Sequence, residues 1–289
     1  MFVSGFSFVR NAVKLDYPVV EAIQSVLPLV DEFVMVVGNS DDNTLELIQS
    51  IGDSKIRIVH SVWDDSLRQG GRVLAEETNK ALAAINPQAD WAIYIQGDEC
   101  IHEKYHPVII QAMQDYKDEQ QVEGLLFKYL HFYGSFDFVA DSRNWYRNEI
   151  RIVKNLPGVK SYKDAQGFRI NNRKLRVKAL DAYVYHYGWV RHPKFQMAKQ
   201  LEANKFWHDD QWINERFNAN EQFDYSIIDS LAHFKETHPV VMQERINKMN
   251  WTFDTDPTKK KLGFKKALLY RIEKLTGWRV GEYKNYTKV

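Results

Sequence analysis

The stretch Trp91-Ala-Ile-Tyr-Ile-Gln-Gly-Asp-Glu99 decides the fold, because an apolar run of strand length ends abruptly in a glycine and two carboxylates. In open α/β sheets, ligands bind outside the carboxyl ends of the strands, and Gly97 allows the backbone to approach a bulky ligand closely. Carboxylates at that position offer the hard oxygen ligands that a divalent cation on a diphosphate prefers. The stretch predicts a buried strand that ends at a metal-diphosphate site, although a strand followed by a solvated acidic turn has the same pattern.

The residues around this stretch alternate between strand and helix patterns. Strands are predicted at residues 1–9, 32–37, 55–60 and 91–96, and helices at residues 17–26, 43–51 and 73–84. This order predicts parallel strands with helices on both faces, joined by right-handed crossovers. Further strands are predicted at residues 124–129, 149–153 and 182–187, and further helices at residues 192–209 and 239–249.

Composition and length set limits on the class of protein. The chain has 289 residues with 44% hydrophobic content, enough for one large α/β domain with an appendage or for two small domains. Cys100 is the sole cysteine, which excludes an intrachain disulfide and fits a reducing compartment. No apolar stretch reaches the length of a membrane span. Residues 1–9 lack a basic n-region and a cleavage site, so we interpret them as a strand rather than a signal peptide.

Three segments resemble glycosyltransferase family 2 in their order and spacing. They are Val9-Arg10-Asn11 after the first strand, Asn39-Ser40-Asp41-Asp42-Asn43-Thr44 after the second, and Asn79-Lys80-Ala81-Leu82 before residues 91–99. The resemblance implies an α/β protein of GT-A fold, a Rossmann-like nucleotide-sugar-binding domain with a mixed central sheet. This domain is expected at residues 1–190, with a nucleotide-sugar half at 1–100 and an acceptor half at 101–190. A helical extension with a basic amphipathic tail is expected at residues 191–289.

Two other nucleotide-binding classes fit the sequence poorly. The first strand is followed by Ser7-Phe8-Val9-Arg10-Asn11 and not by Gly-x-Gly-x-x-Gly, which argues against a dinucleotide-binding Rossmann enzyme. A sugar-phosphate nucleotidyltransferase would carry a glycine-rich phosphate loop at the same place. The resemblance to glycosyltransferases is therefore the interpretation that the loops favour.

The resemblance implies a donor site for a nucleotide sugar, expected to be UDP-linked, at the ends of these strands. Its expected residues are Arg10, Asn11, Asn39, Asp41, Arg72, Gln96, Gly97 and Asp98. Where the family usually has Asp-X-Asp, this chain has Gln96-Gly97-Asp98, and an amide can still hydrogen-bond a ribose hydroxyl. Arg72 follows two glycines before a predicted helix, where its guanidinium could meet phosphate or could simply be solvated.

A divalent metal, Mn²⁺ or Mg²⁺, is expected as the cofactor of this site. By the resemblance, Asp98 reaches the metal directly, and Glu99 adds a second carboxylate. His186 falls where GT-A enzymes often bring a late histidine to the metal, and imidazole is a reasonable ligand for manganese. A histidine within an aromatic strand is as often a core residue bonded to backbone. The predicted metal ligands are Asp98, Glu99 and His186.

Transfer with inversion, which the resemblance implies, requires a base that deprotonates the acceptor hydroxyl. The helix motif that carries this base in the family is absent, and the chain offers Asp164, Glu149 or Asp141. We predict Asp164, because it lies on a glycine-bearing loop after the second of the later strands, residues 149–153. Aromatic residues crowd positions 129–146, and their rings would suit a saccharide acceptor.

The C-terminal residues concentrate positive charge. Residues 258–289 contain ten Lys or Arg against two Glu, and residues 259–278 have the pattern of a basic amphipathic helix. Such a helix could lie on an anionic membrane surface, where lipid-linked acceptors are found, or could pack on the domain with a solvated basic face. We expect a cytoplasmic protein at the inner face of the membrane and no nucleic-acid partner. The alternatives are a catalytically inactive carbohydrate-binding or scaffold protein of the same fold, and a membrane adaptor acting through the tail.

Overall fold

The computed structural model describes residues 1–67, 69–218 and 221–289, and its first hundred residues alternate between strand and helix in the predicted order. The elements of this half are β1 (Val3–Val9), α1 (Val19–Val26), β2 (Glu32–Gly38), α2 (Thr44–Gln49), β3 (Ile56–Ser61), α3 (Arg72–Ala83) and β4 (Trp91–Tyr94). Helix α1 begins two residues later than predicted, with Pro18 at its N-cap. Strand β4 ends two residues earlier, so that Gln96 belongs to the following loop.

The four strands of this half form a parallel sheet in the order β3-β2-β1-β4. Val9 at the end of β1 is opposite Val37 of β2, and Phe6 of β1 is opposite Tyr94 of β4. Buried apolar side chains cover both faces of the sheet, as expected for parallel strands between two layers of helices. The loops that follow the strands therefore meet at one edge of the sheet.

The second half of the chain makes the sheet mixed, as predicted. Its strands are β5 (Glu99–Ile101), β6 (Gly124–Tyr133), β7 (Ser135–Ala140), β8 (Asn148–Lys154), β9 (Val159–Tyr162), β10 (Gly167–Ile170), β11 (Arg173–Trp189), β12 (Leu231–His233) and β13 (Tyr286–Lys288). Strand β8 pairs antiparallel with β4, and β11 pairs parallel with β6 and antiparallel with β5. This topology confirms the coarser part of the predicted fold class, an α/β domain with a mixed central sheet.

Helices dominate the last third, although strands contribute there as well. The remaining helices are α4 (His106–Tyr116), α5 (Pro193–Asn204), α6 (Asp210–Arg216), α7 (Gln243–Asn247) and α8 (Phe264–Thr276). The helix predicted at residues 192–209 ends at Asn204, and the helix predicted at 239–249 begins as a 3-10 turn. Strand β13 joins β11 in parallel, with Tyr286 opposite Leu175. The boundary at residue 190 stays a prediction.

Within the described part of the chain, the structure has no helix with the length and apolar character that crossing a membrane requires.

Candidate functional site

A cavity of about 480 Å³ lies at the carboxyl ends of β1 and β4. The loops after β1, β3 and β4 form one side of it, and the second half of α5 with the residues that follow forms the other. The volume falls in the range of small-molecule sites in proteins. The end of α5 at Asn204 matters here, because the chain then turns and brings Phe206 and Trp207 onto the cavity wall.

Five of the eight predicted donor residues line this cavity together. They are Arg10, Asn11, Gln96, Gly97 and Asp98. The predicted residues Asn39, Asp41 and Arg72 lie outside the lining, and Arg72 is exposed at the start of α3. The sequence pattern thus identified the edge of the sheet at which the cavity lies. The structure shows which of the predicted residues line the cavity and which only lie near it.

Two of the outlying residues hold lining residues in place. The Asn39 side-chain oxygen accepts a hydrogen bond from the Trp63 backbone amide at 3.2 Å. The Asp41 backbone amide donates to Asn11 Oδ1 at 2.9 Å, while its carboxylate pairs with Lys14 at 2.8 Å. Asn11 has a φ of 56°, a left-handed conformation that asparagine tolerates better than most residues. These contacts join the loops after β1 and β2.

Trp63 forms an aromatic wall that the sequence reasoning missed. Its ring contacts Phe8 and Phe206, each at 5.7 Å between ring centroids, and the Arg10 guanidinium lies 5.6 Å from it. Arg10 also pairs with Asp65 at 2.6 Å. An aromatic face beside hydrogen-bonding groups is suited to a flat heterocycle. The signal was Trp63-Asp64-Asp65 directly after β3, on the same edge as the other loops.

Asp98 lies at the base of the cavity and is bonded to a lysine from α5. Lys199 Nζ donates to Asp98 Oδ2 and to the Gly188 carbonyl oxygen, both at 2.8 Å. Burial alone would raise the pKa of the Asp98 carboxyl, but the Lys199 ammonium and the nearby His186 hold that pKa well below its usual range. Burial lowers the pKa of Lys199 to about 8, with the charge of Arg191 acting in the same direction. Lys199 was not among the predicted site residues, because nothing in the local sequence of α5 marks it.

Glu99, one of the predicted metal ligands, does not line the cavity, and its carboxylate is bonded to other protein groups. Its side chain is fully buried, and its two oxygens accept hydrogen bonds from Arg151 Nη2 and Nε, both at 2.8 Å. Tyr129 donates to the same carboxylate at 2.8 Å. A buried, bidentate pair of this kind holds β8 to the start of β5, and breaking it is costly. Glu99 is therefore a structural residue.

His186 is close to Asp98, as predicted, but its ring is also bonded elsewhere. The antiparallel register of β11 and β5 brings it opposite Glu99, and its Nε2 lies 3.8 Å from Asp98 Oδ1. Its Nδ1 is 3.1 Å from Nδ1 of His131, whose Nε2 bonds the Tyr146 carbonyl oxygen at 2.8 Å. Burial lowers the pKa of His186, and Asp98 opposes this shift. The ring thus forms part of a buried hydrogen-bonded chain.

The side chains around Asp98 do not fit the predicted metal. The described residues contain no group of three His, Cys, Asp or Glu side chains placed to hold an ion. With Glu99 bound to Arg151, the predicted ligand set is reduced to Asp98 and His186. Lys199 already forms an ion pair with Asp98. A divalent cation would have to displace the Lys199 ammonium or bind against its repulsion. The set of ligands for the predicted Mn²⁺ or Mg²⁺ is therefore incomplete in this chain, and the charge of Asp98 is already balanced by Lys199.

Asp164 lies on the turn between β9 and β10 and is not among the residues that line the cavity. The neighbouring Ala165 carbonyl oxygen accepts a hydrogen bond from Gln96 Nε2 at 3.4 Å. A Cβ added to Gly71 would lie 2.5 Å from Asp164 Cβ and 3.0 Å from Trp207 Cζ2. The half-buried Asp164 therefore packs between the start of α3 and the wall of the cavity. Its catalytic role stays a prediction.

The other two carboxylates considered as the base have structural surroundings. Glu149 is buried, and burial raises its pKa to about 8. Asp141 accepts hydrogen bonds from Ser230 and Tyr270 and pairs with Lys260 at 3.4 Å. Asp141 thus anchors the C-terminal segment, and neither residue lines the cavity.

No protein-family model matches this chain, and no curated protein sequence matches it. Three solved structures illustrate what the fold is similar to. The crystal structure of S. aureus TarS aligns with 17% identity and a TM-score of 0.40, over 70% of this chain and 39% of that chain. TarS 1–349 in complex with UDP aligns with 16% identity and a TM-score of 0.37, over 70% of this chain and 64% of that one.

The third structure is glucosyl-3-phosphoglycerate synthase from Mycobacterium tuberculosis in complex with Mn²⁺, UDP and phosphoglyceric acid. It aligns with 21% identity and a TM-score of 0.31, over 46% of this chain and 43% of that chain. The aligned region thus spans less than half the length of the TarS chain and of the synthase. Each likeness is one of fold.

Proposed function

We propose that this protein is a glycosyltransferase that moves a sugar from a nucleotide-sugar donor, UDP-linked, to a saccharide or lipid-linked saccharide acceptor with inversion. The observation that carries the proposal is the cavity at the strand ends, which gathers Arg10, Asn11, Gln96, Gly97 and Asp98 from two loops. These are five of the eight residues for which the family resemblance implies donor contact. A ligand crevice at the carboxyl edge of a parallel sheet is the common arrangement in α/β proteins.

The two ends of the cavity differ in ways that suit a nucleotide sugar. At one end, the Trp63 ring and the neighbouring carboxylates of Asp64 and Asp65 offer stacking and hydrogen-bond acceptors for a base and ribose. At the other end, Gly97 leaves room for close approach, and Lys199 offers positive charge for a diphosphate. The sugar would then extend from Asp98 towards Asp164, which lies outside the lining and close to Gly71 and Trp207.

In this proposal Asp164 is the base. Its carboxylate takes the proton from the acceptor hydroxyl while that oxygen attacks the anomeric carbon, and the bond from this carbon to the diphosphate oxygen breaks on the opposite side. The turn that carries Asp164 has left-handed conformations at Lys163 and Ala165, which direct a short loop over Gln96. A comparison of donor turnover by wild type and by Asp164→Asn therefore tests this role.

The test is calorimetric titration of UDP, GDP and their sugar conjugates, followed by assay of donor turnover. Ala203→Trp fills the cavity from α5, and Lys194→Trp adds the same bulk at an exposed site on the same helix. We expect nucleotide binding by wild type and Lys194→Trp and loss of binding in a folded Ala203→Trp. Asp164→Asn should bind donor normally and lose at least about a hundredfold in turnover.

Two results would contradict the proposal. If the folded wild type binds none of these nucleotides at millimolar concentration, the cavity is not a donor site for them. If it binds a donor but neither transfers nor hydrolyses it under any condition, the alternative of an inactive carbohydrate-binding or scaffold protein replaces the enzyme.

The acceptor side of the proposal includes contact with an anionic membrane surface through residues 259–278. Helix α8 leaves the apolar side chains Phe264, Leu268 and Leu275 at 88%, 52% and 87% exposure, on one face, and Trp278 follows at 65%. Lys265 and Arg271 flank this face and are also exposed. An exposed apolar stripe with basic flanks suits a helix that lies in the headgroup region. A cytoplasmic location at the inner face of the membrane follows from this part of the proposal.

A further inference from the structure

We infer that Lys199, with Arg191 beside it, supplies the positive charge that holds the donor diphosphate, so that this chain binds its donor without a divalent metal. The inference rests on the proposed function and concerns the same site. Two side chains of this protein thus take the place of the metal that the resemblance implies.

The hydrogen bonding of Lys199 leaves one of its donors for a ligand. An ammonium group has three N–H donors. Two of them are used within the described residues, on Asp98 Oδ2 and on the Gly188 carbonyl oxygen. The side chain is 13% exposed and lines the cavity, so the third donor is available to a ligand there. Lys199 is thus fixed at its position by protein contacts and still able to bind an anion.

Two positively charged side chains act on the Asp98 carboxylate. The single negative charge of Asp98 is matched by Lys199, while Arg191 adds a second positive charge that acts on both residues. The Arg191 Cζ atom and Lys199 Nζ lie 5.0 and 5.1 Å from the centroid of the Tyr17 ring, which lines the cavity. Because Glu99 is neutralised by Arg151, the three residues Asp98, Lys199 and Arg191 are together net positive before any ligand binds, while the lining also carries the carboxylates Asp64, Asp65, Glu202 and Asp210. An anion is the ligand that such a group favours.

The Arg191 guanidinium is buried and incompletely hydrogen-bonded. Its side chain is fully buried, and Nη1 donates to the Leu15 carbonyl oxygen at 3.0 Å. Its Nε and Nη2 atoms have no hydrogen-bond partner among the described residues. Arg191 shares the single charge of Asp98 with Lys199, and a bound diphosphate nearby would stabilise this buried guanidinium further.

The test is calorimetric titration of UDP into wild type and three variants, in EDTA and again with manganese. Lys199→Met removes the ammonium and keeps the length of the side chain, and Lys194→Met makes the same change at an exposed site of α5. Asp98→Asn removes the carboxylate and leaves Lys199 held by Gly188 and the Tyr17 ring. Thermal melting confirms that each variant is folded, and Lys199→Gln takes the place of a methionine variant that fails to melt cooperatively.

In EDTA we expect wild type and Lys194→Met to bind UDP equally, and Lys199→Met to bind about ten- to a hundredfold more weakly. Asp98→Asn should bind at least as tightly as wild type, because the ammonium is released from its protein partner. The inference is overturned if wild type binds only with manganese, if Lys199→Met binds like wild type in EDTA, or if Asp98→Asn loses binding. In each of these cases the proposed donor site survives. Absence of nucleotide binding by every protein under both conditions would instead remove the proposed function and the inference with it.

Discussion

Gly71 is the residue at which the start of α3 meets the loop that carries Asp164. Its φ is 67°, and an added Cβ would lie 2.5 Å from Asp164 Cβ. Gly71→Ala should therefore destabilise the protein through both a left-handed backbone and a steric clash. We expect a loss of about 2–5 kcal/mol in the free energy of unfolding, measured by urea denaturation.

Gly70 provides the matched control, because its φ is 61° and no described atom lies within 4 Å of an added Cβ. Gly70→Ala carries the backbone strain alone and should lose about 1–2 kcal/mol. Equal losses in the two variants would mean that the Asp164 loop does not pack against Gly71. The proposed position of the catalytic base would then lose its support.

At the same scale, the sequence located the carboxylates after β4 but could not assign their roles. Asp98 and Glu99 are adjacent, yet the turn in which the Glu99 amide donates to the Gln96 carbonyl oxygen sends their side chains in different directions. Glu99 meets Arg151, 52 residues later, and Asp98 meets Lys199, 101 residues later. Contacts between such distant residues depend on tertiary packing, which local patterns do not report.

Helix α8 has an exposed apolar face with basic residues beside it, and this arrangement predicts binding to an anionic membrane. We expect wild type to sediment with vesicles that contain phosphatidylserine and to be released by salt, because exposed lysines contribute about 1 kcal/mol each near an anionic surface. Leu268→Glu/Leu275→Glu should reduce this binding more than about tenfold, since it removes two large apolar contacts and adds negative charge.

The control for this experiment has the same change in charge at other exposed apolar positions. Val62 and Val240 are 73% and 68% exposed, and neither belongs to the α8 surface. Val62→Glu/Val240→Glu should retain vesicle binding apart from a small effect of net charge. Equal loss in both double variants would indicate attraction by overall charge, and binding of neither wild type nor variants would remove the membrane from the proposal.

Elements with a strong repeating pattern were predicted better than those defined by tertiary contacts. The strands and helices of the first hundred residues follow the predicted order because their apolar residues recur with the period of each element. The predicted helix at residues 192–209 instead ends at Asn204, and the Phe206 carbonyl oxygen accepts a hydrogen bond from the Gly71 amide at 3.0 Å. That contact with α3 shapes the cavity and has no signature in the local sequence.

For the whole molecule, the C-terminal segment is part of the fold as well as the carrier of α8. Arg147 pairs with Glu282 at 2.9 Å, and Arg279 pairs with Glu273 at 2.8 Å. Strand β13 then extends the sheet beside β11. The sequence predicted a basic helix here and no strand, because three residues at the end of a charged tail have no strand pattern of their own.

Tyr286 is the buried residue of β13, so a substitution there tests whether the tail can be removed without unfolding the domain. Tyr286 is 6% exposed and packs in the same core cluster as Phe168 and Leu175, whereas Tyr283, three residues earlier, is 63% exposed. Tyr286→Ala should lower the free energy of unfolding by about 2–4 kcal/mol, and Tyr283→Ala by less than about 1 kcal/mol. Both are measured by urea denaturation.

If the two variants unfold alike, β13 is not part of the cooperative unit, and deleting residues 258–289 becomes a clean test of the membrane adaptor. If Tyr286→Ala alone is destabilised, that deletion damages the domain, and the role of α8 has to be tested by surface substitutions instead.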